Sequence, residues 1–120
     1  MRLGSYDAVI KQGTRVYDLY QQHQQPSEKT GYYQGAYMIK ERHRHRYEVN
    51  PLFVETLQSA GFSFSGYHQR EDGTMLMEYG EIKDHPFFIG TQAHPEFKSR
   101  FGNPNPLFYG FVKSCVEKKQ

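Results

Sequence analysis

The sequence predicts an α/β or α+β domain, because extended and helical segments alternate along a single chain of 120 residues. Three observations carry that prediction. Runs of β-type character are bounded by glycine turns, capping residues stand at Thr14 and Asn50, and the chain closes on an apolar stretch that turns basic. The length suits one domain with one core.

The elements follow in order. "RLGSYDAVIKQG" reads as a strand entering a turn at Gly13. In "TRVYDLYQQHQQ", Thr14 supplies an N-cap, and Val16, Leu19 and Tyr20 recur at helical spacing. Residues 21–36 are rich in Gln, Gly and polar groups, with Pro26 as a helix breaker, and are expected to form an exposed loop insertion. "AYMIKERHRHRYEVN" is extended in character. Asn50 then caps a short helix that has Pro51 at its first position and Gly61 past its end. "GFSFSGYHQ" and "TMLMEYGEIK" predict a hairpin around "REDG". "HPFFIGTQAH" reads as a largely apolar, buried strand, and "PLFYGFVKSCVEKK" as a closing helix whose basic last turn suits the helix dipole. No internal repeat or second domain interrupts residues 1–120.

Composition narrows the function classes. The net charge is +2, from 15 basic and 13 acidic residues, which argues against a large footprint on nucleic acid. No run approaches the roughly 20 apolar residues of a membrane span, and "MRLGSYDAVI" lacks the apolar stretch of a secretory signal. Neither nucleic acid nor a membrane is therefore expected as a partner. One cysteine, Cys115, rules out an internal disulfide and makes the cytoplasm the expected compartment.

Two stretches carry chemistry. "TQAHPEF" follows the expected buried strand, and in extended backbone Gln92, His94 and Glu96 share a face. A carboxylate two residues beyond a histidine can fix one ring nitrogen and leave the other as a general base, which is half of a nucleophilic triad. On its own the H-P-E pattern also fits a surface histidine. The nucleophile is missing: Cys115 lies between Val112 and Val116 with no Gly-x-Cys-x-Gly elbow, and is expected to be a buried, inert thiol.

"KERHRHRYEVNP" admits four readings. In a strand, His43 and His45 share one side, and Arg42, Arg44 and Arg46 the other. Such a stretch can be a solvated edge, a His-x-His metal site without a third ligand at familiar spacing, a nucleic-acid patch, or a wall that holds a carboxylate-bearing ligand through Arg46.

"MRLG", "ERHRHRYEVNP", "DHPFFIGTQAHPEFKSR" and "PLFYGFV" occur here in order. Together they resemble the C-terminal part of the class I, triad-type glutamine amidotransferase domain of the CTP synthase family, over nearly the whole chain. The resemblance implies part of a flavodoxin-like α/β domain, with a mixed sheet and flanking helices. It implies His94 as the triad base, Glu96 as its orienter, Arg46 and Tyr47 as part of a glutamine pocket, Gln92 in a supporting role, and Arg2 as a residue linked to activation by GTP. Ala93 stands where the family usually has an aromatic residue. Glutamine is the implied substrate, and its ammonia aminates UTP that ATP has activated with Mg²⁺ in a synthetase domain. No cofactor or metal is expected in this chain.

In the family, the cysteine elbow and oxyanion glycines lie upstream of the "MRLG" motif. This chain alone is therefore expected to be inactive. An internal start, a split or truncated gene and a cloned fragment are all open. An apolar cut edge is expected, covered by oligomerisation, by the remainder of the polypeptide, or by a complementary chain bearing the elbow. The alternatives are a non-catalytic module that binds a ligand or regulates assembly and, last, a small RNA binder.

Overall fold

The computed structural model describes residues 2–23, 31–33 and 36–119. It contains a six-stranded sheet in the order β2-β3-β1-β4-β5-β6. The strands are β1 (Arg2–Ile10), β2 (Gly31–Tyr33), β3 (Ala36–His45), β4 (Ser63–Gln69), β5 (Met75–Glu81) and β6 (Ile89–Thr91). The helices are α1 (Arg15–Gln22), α2 (Val54–Ser59) and α3 (Pro106–Lys119). The α/β class holds. The expected mixed sheet, however, is antiparallel in every described pairing. Parallel neighbours need long crossovers, whereas the tight turn joining β4 to β5 returns the chain antiparallel.

Local chemistry explains the element boundaries. The Thr14 hydroxyl accepts from the Tyr17 amide, and the Glu81 carboxylate of β5 accepts from the Arg15 and Val16 amides, so three open donors of α1 are satisfied. Gly13 lies at φ 80°, a conformation that glycine adopts without the Cβ penalty. Asn50 caps a 3₁₀ turn over Pro51–Phe53 that leads into α2, and Asn105 receives the Leu107 amide ahead of Pro106 in the same way. The "REDG" turn closes through Arg70 and Thr74.

Ala8, Ile10, Val16, Tyr20, Tyr37, Ile39, Tyr79 and Leu107 form the core, where α1 packs against the sheet. Gly66, at a β-bulge in β4, lies in this packing. A Cβ there would sit 2.8 Å from Ile10 Cδ1 and 2.8 Å from Tyr79 Cδ2, on buried neighbours with no room to yield. Gly66→Ala is expected to destabilise the fold by about 1–3 kcal/mol through overpacking, read as a lower urea midpoint.

Four further expectations are corrected. Within segment 21–36, Gln21 and Gln22 continue α1 and Gly31–Tyr33 forms β2 paired to β3, while residues 24–30 and 34–35 (including Pro26) lie outside the described residues. The strand over "HPFFIGTQAH" shortens to Ile89–Thr91, a half-buried sheet edge. The carbonyl of Pro86 is taken by Arg15, the Phe87 amide by the His85 ring, and Pro95 has no ladder donor. Beyond the strand, Pro95–Phe97 is a 3₁₀ turn, so extended backbone does not carry His94 and Glu96 to one side. Cys115 is exposed rather than buried. Leu107, Gly110 and Ser114 form the inward stripe of α3, with Gly110 close against Leu19 and Ser114 bonded to Pro86, which turns Cys115, Val112 and Val116 outward.

Candidate functional site

β3 grades from core to site along one side. Tyr37 and Ile39 are buried in the apolar core, Glu41 receives Tyr20 and Asn105, and His43 and His45 follow. Arg42, Arg44 and Arg46 are exposed on the other side, as strand alternation demands.

His94 is fastened to this strand end. Its amide donates to the Arg42 carbonyl at 2.8 Å. Its Nδ1 lies 2.9 Å from Glu96 Oε2, and its Nε2 lies 3.3 Å from the Arg44 carbonyl oxygen. The Phe97 ring stacks on the imidazole at 4.9 Å. The hydrogen bond from His94 holds the Glu96 carboxyl below the usual glutamate range. Glu96 therefore stays ionised and accepts from the Nδ1–H of His94. Nε2 faces the Arg44 carbonyl, which can only accept, so this contact forms when Nε2 carries a proton, the state a base reaches after taking one. The 3₁₀ turn achieves by curvature what the sequence reading assigned to strand alternation.

Arg46 and Tyr47 continue from the same strand end and are exposed, Tyr47 at 80 %. The Tyr47 carbonyl faces His45 Nδ1 at 3.0 Å. Gln92 is half-buried, and its amide donates to the Glu78 carbonyl at 2.9 Å. Beside it opens a cavity of about 350 Å³, lined by Leu57, Phe62, Phe64, Glu78 and Gln92 among others.

Arg2 is held away from solvent. It donates to Glu48 through Nε at 2.8 Å and Nη2 at 2.7 Å, and to Glu78 through Nη1 at 3.1 Å and through Nη2. Burial works to lower the guanidinium, but Glu48 and Glu78 outweigh it and strengthen its hold on the proton. Burial would likewise raise the Glu78 carboxyl, yet hydrogen bonds from His43 and Arg2 keep it below the ordinary glutamate range. His43, His45, Glu48 and Glu78 thus form a polar network that the sequence reading missed. Its signals were present in "MLMEYG", where an acid interrupts an apolar strand, and in the two histidines that share one side of β3. Among the described residues, no cluster of three or more His, Cys, Asp or Glu side chains is arranged to hold a metal. No described helix is long and apolar enough to cross a membrane.

Comparison with known proteins sets this geometry in a family. The family description "Glutamine amidotransferase class-I" matches residues 4–114. CTP synthase of Deinococcus radiodurans is 48 % identical, and that of Archaeoglobus fulgidus 44 % identical, each over the whole chain. This chain spans about a fifth of their length, 20 % and 19 %. The solved glutaminase domain of Trypanosoma brucei CTPS, with bound acivicin, superposes with a TM-score of 0.79 at 28 % identity, covering 98 % of this chain and 40 % of that one. The antiparallel sheet with its flanking helices is thus that of a chain that belongs to the class I glutamine amidotransferase family.

Proposed function

We propose that this chain supplies the base-bearing wall of a glutaminase site in a CTP synthase. The observation that carries the reading is the His94 Nδ1–Glu96 contact of 2.9 Å, fastened to the strand that ends in Arg46 and Tyr47. In this reading a cysteine thiol gives its proton to His94 Nε2, and the thiolate attacks the side-chain carbonyl of glutamine. The imidazolium returns the proton to the departing nitrogen, which leaves as ammonia, and a glutamyl thioester remains for water to cleave. Arg46 offers charge to the substrate carboxylate and Tyr47 a ring and hydroxyl beside it. Gln92 supports the site through its tie to Glu78.

The thiol must come from outside these residues, because no Gly-x-Cys-x-Gly occurs in them and Cys115 projects from the outer side of α3. The remainder of a CTP synthase polypeptide, or a complementary chain bearing that elbow, is the proposed source, and the cytoplasm the proposed compartment. ATP and Mg²⁺ belong to the synthetase domain of the proposed whole enzyme. Any GTP effect passing through Arg2 acts on its ion pairs with Glu78 and with Glu48, the residue that follows Tyr47. Exposed Phe108, Phe111, Val112 and Val116 on α3 favour a covering partner, be it that remainder or another copy in an oligomer.

The purified chain, given glutamine, is expected to release no ammonia above background. Turnover by the chain alone that His94→Ala abolishes would overturn the reading. The same apolar surface also suits a module that docks and regulates without chemistry. That alternative predicts tight calorimetric binding of glutamine or GTP by the chain alone, which an isolated wall should not show.

A further inference from the structure

We infer that His43 and His45 work as one proton-sharing pair that holds a single positive charge and positions the Arg46–Tyr47 wall. The charge assignment stands on geometry alone. Only its link to substrate rests on the glutamine-pocket reading above.

Three contacts run in series. Glu78 Oε2 lies 3.0 Å from His43 Nε2, His43 Nδ1 lies 2.9 Å from His45 Nε2, and His45 Nδ1 lies 3.0 Å from the Tyr47 carbonyl oxygen. The two ends of this series, a carboxylate and a carbonyl, can only accept. Both outer contacts therefore require N–H groups, on His43 Nε2 and on His45 Nδ1. The middle contact requires one more hydrogen between the facing nitrogens. Three protons on four ring nitrogens make one imidazole and one imidazolium. With two protons, one contact becomes a pair of acceptors facing each other, and with four, two N–H groups collide at 2.9 Å.

The charges around the pair give the same count. Arg2 of β1 bridges Glu48 and Glu78, and Glu48 Oε2 lies 3.6 Å from His45 Nδ1. Two carboxylates then meet one guanidinium and one shared proton charge, and the cluster balances. His43 is 2 % exposed and the Glu78 side chain 0 %, so an unbalanced charge there would be costly. From β1, the Tyr6 ring stands edge-on to His43 at 5.6 Å, and His68 of β4 lies beyond it, occupied by Asp7. From the β6 side, His94 faces the Arg44 carbonyl rather than the pair.

The consequence is mechanical. His45 holds the Tyr47 carbonyl while Arg2 holds the Glu48 carboxylate, so the backbone beside Arg46 is fixed at two successive residues. His43 and His45 are positioning residues in this account.

Ring-nitrogen NMR of the whole chain, labelled with ¹⁵N-histidine at pH 7, tests the charge directly. Three of the pair's four nitrogens are expected to carry protons, with nitrogen–nitrogen coupling across the His43–His45 contact. Two neutral rings would overturn the proposal. In the chain completed by a cysteine-bearing segment, His45→Phe is expected to raise the glutamine KM roughly tenfold, as loss of one charge-assisted hydrogen bond should. The kcat at saturating glutamine should stay within about twofold, which also verifies folding. A KM within twofold of the original would overturn the positioning role. Failure of the glutamine reading itself would show separately, as an Arg46→Ala variant whose KM is also unmoved.

Discussion

His94→Ala, placed in an enzyme completed by the cysteine-bearing segment, is expected to lower glutamine-dependent CTP formation by about 10³-fold or more, with ammonia-dependent formation unchanged. Without an Nε2 to take the thiol proton, the nucleophile stays a weak thiol near neutral pH, and the leaving nitrogen has no acid. Glu96→Gln should cost less. The amide can still accept from Nδ1–H, but it no longer places a carboxylate opposite the imidazolium that forms. The loss should therefore appear in kcat rather than in KM, because it concerns a charge that develops only during reaction. Steady-state kinetics with glutamine and with ammonium salt separate these effects. A His94→Ala enzyme that kept its glutamine rate would remove His94 from the base role.

Arg2→Met is expected to destabilise the fold by about 3–5 kcal/mol, because it leaves two carboxylates, one of them Glu78 in a site with no solvent exposure, with only the His43–His45 pair to answer them. The double variant Arg2→Met/Glu78→Leu should recover much of that loss, since it removes the buried charge as well as its partner. Sign and pH window follow from Glu78. Its carboxyl is held below the ordinary value of 4.5, so the stability it contributes is present above pH 4.5 and is lost as pH falls through the lower folded value. In Arg2→Met the stranded carboxyl takes up a proton more readily than in the parent. The gap between parent and variant should consequently narrow as urea unfolding is moved from pH 7 to pH 4. A gap that widened on acidification would place the lost stability elsewhere.

How much was legible in the sequence differs element by element. Thr14, Asn50 with Pro51, and the "REDG" turn act within a few residues, so sequence spacing alone located them. The alternation of "RHRHR" also held, with His43 buried and Arg42 and Arg44 exposed. The errors share a different cause. β2 formed inside a polar stretch because a neighbouring strand edge, β3, was available to pair with it. Cys115 was misplaced because its apolar neighbours Val112 and Val116 face outward too, and sequence does not reveal which stripe of α3 the domain covers. The meeting of Arg2 with Glu48 and Glu78 joins positions 46 and 76 residues apart, which no local pattern encodes. The pairing of His94 with Glu96 was legible through a motif, although the backbone that unites them is a 3₁₀ turn and not a strand.

One measurement bears most directly on the central claim, that these residues form the base-bearing wall of a glutaminase completed from outside. The chain is mixed with a separately purified segment of the same enzyme that carries the cysteine elbow, and ammonia release from glutamine is followed. The account predicts turnover from the mixture, none from either part alone, and none when the chain carries His94→Ala. Equal turnover with the parent chain and with His94→Ala would contradict it.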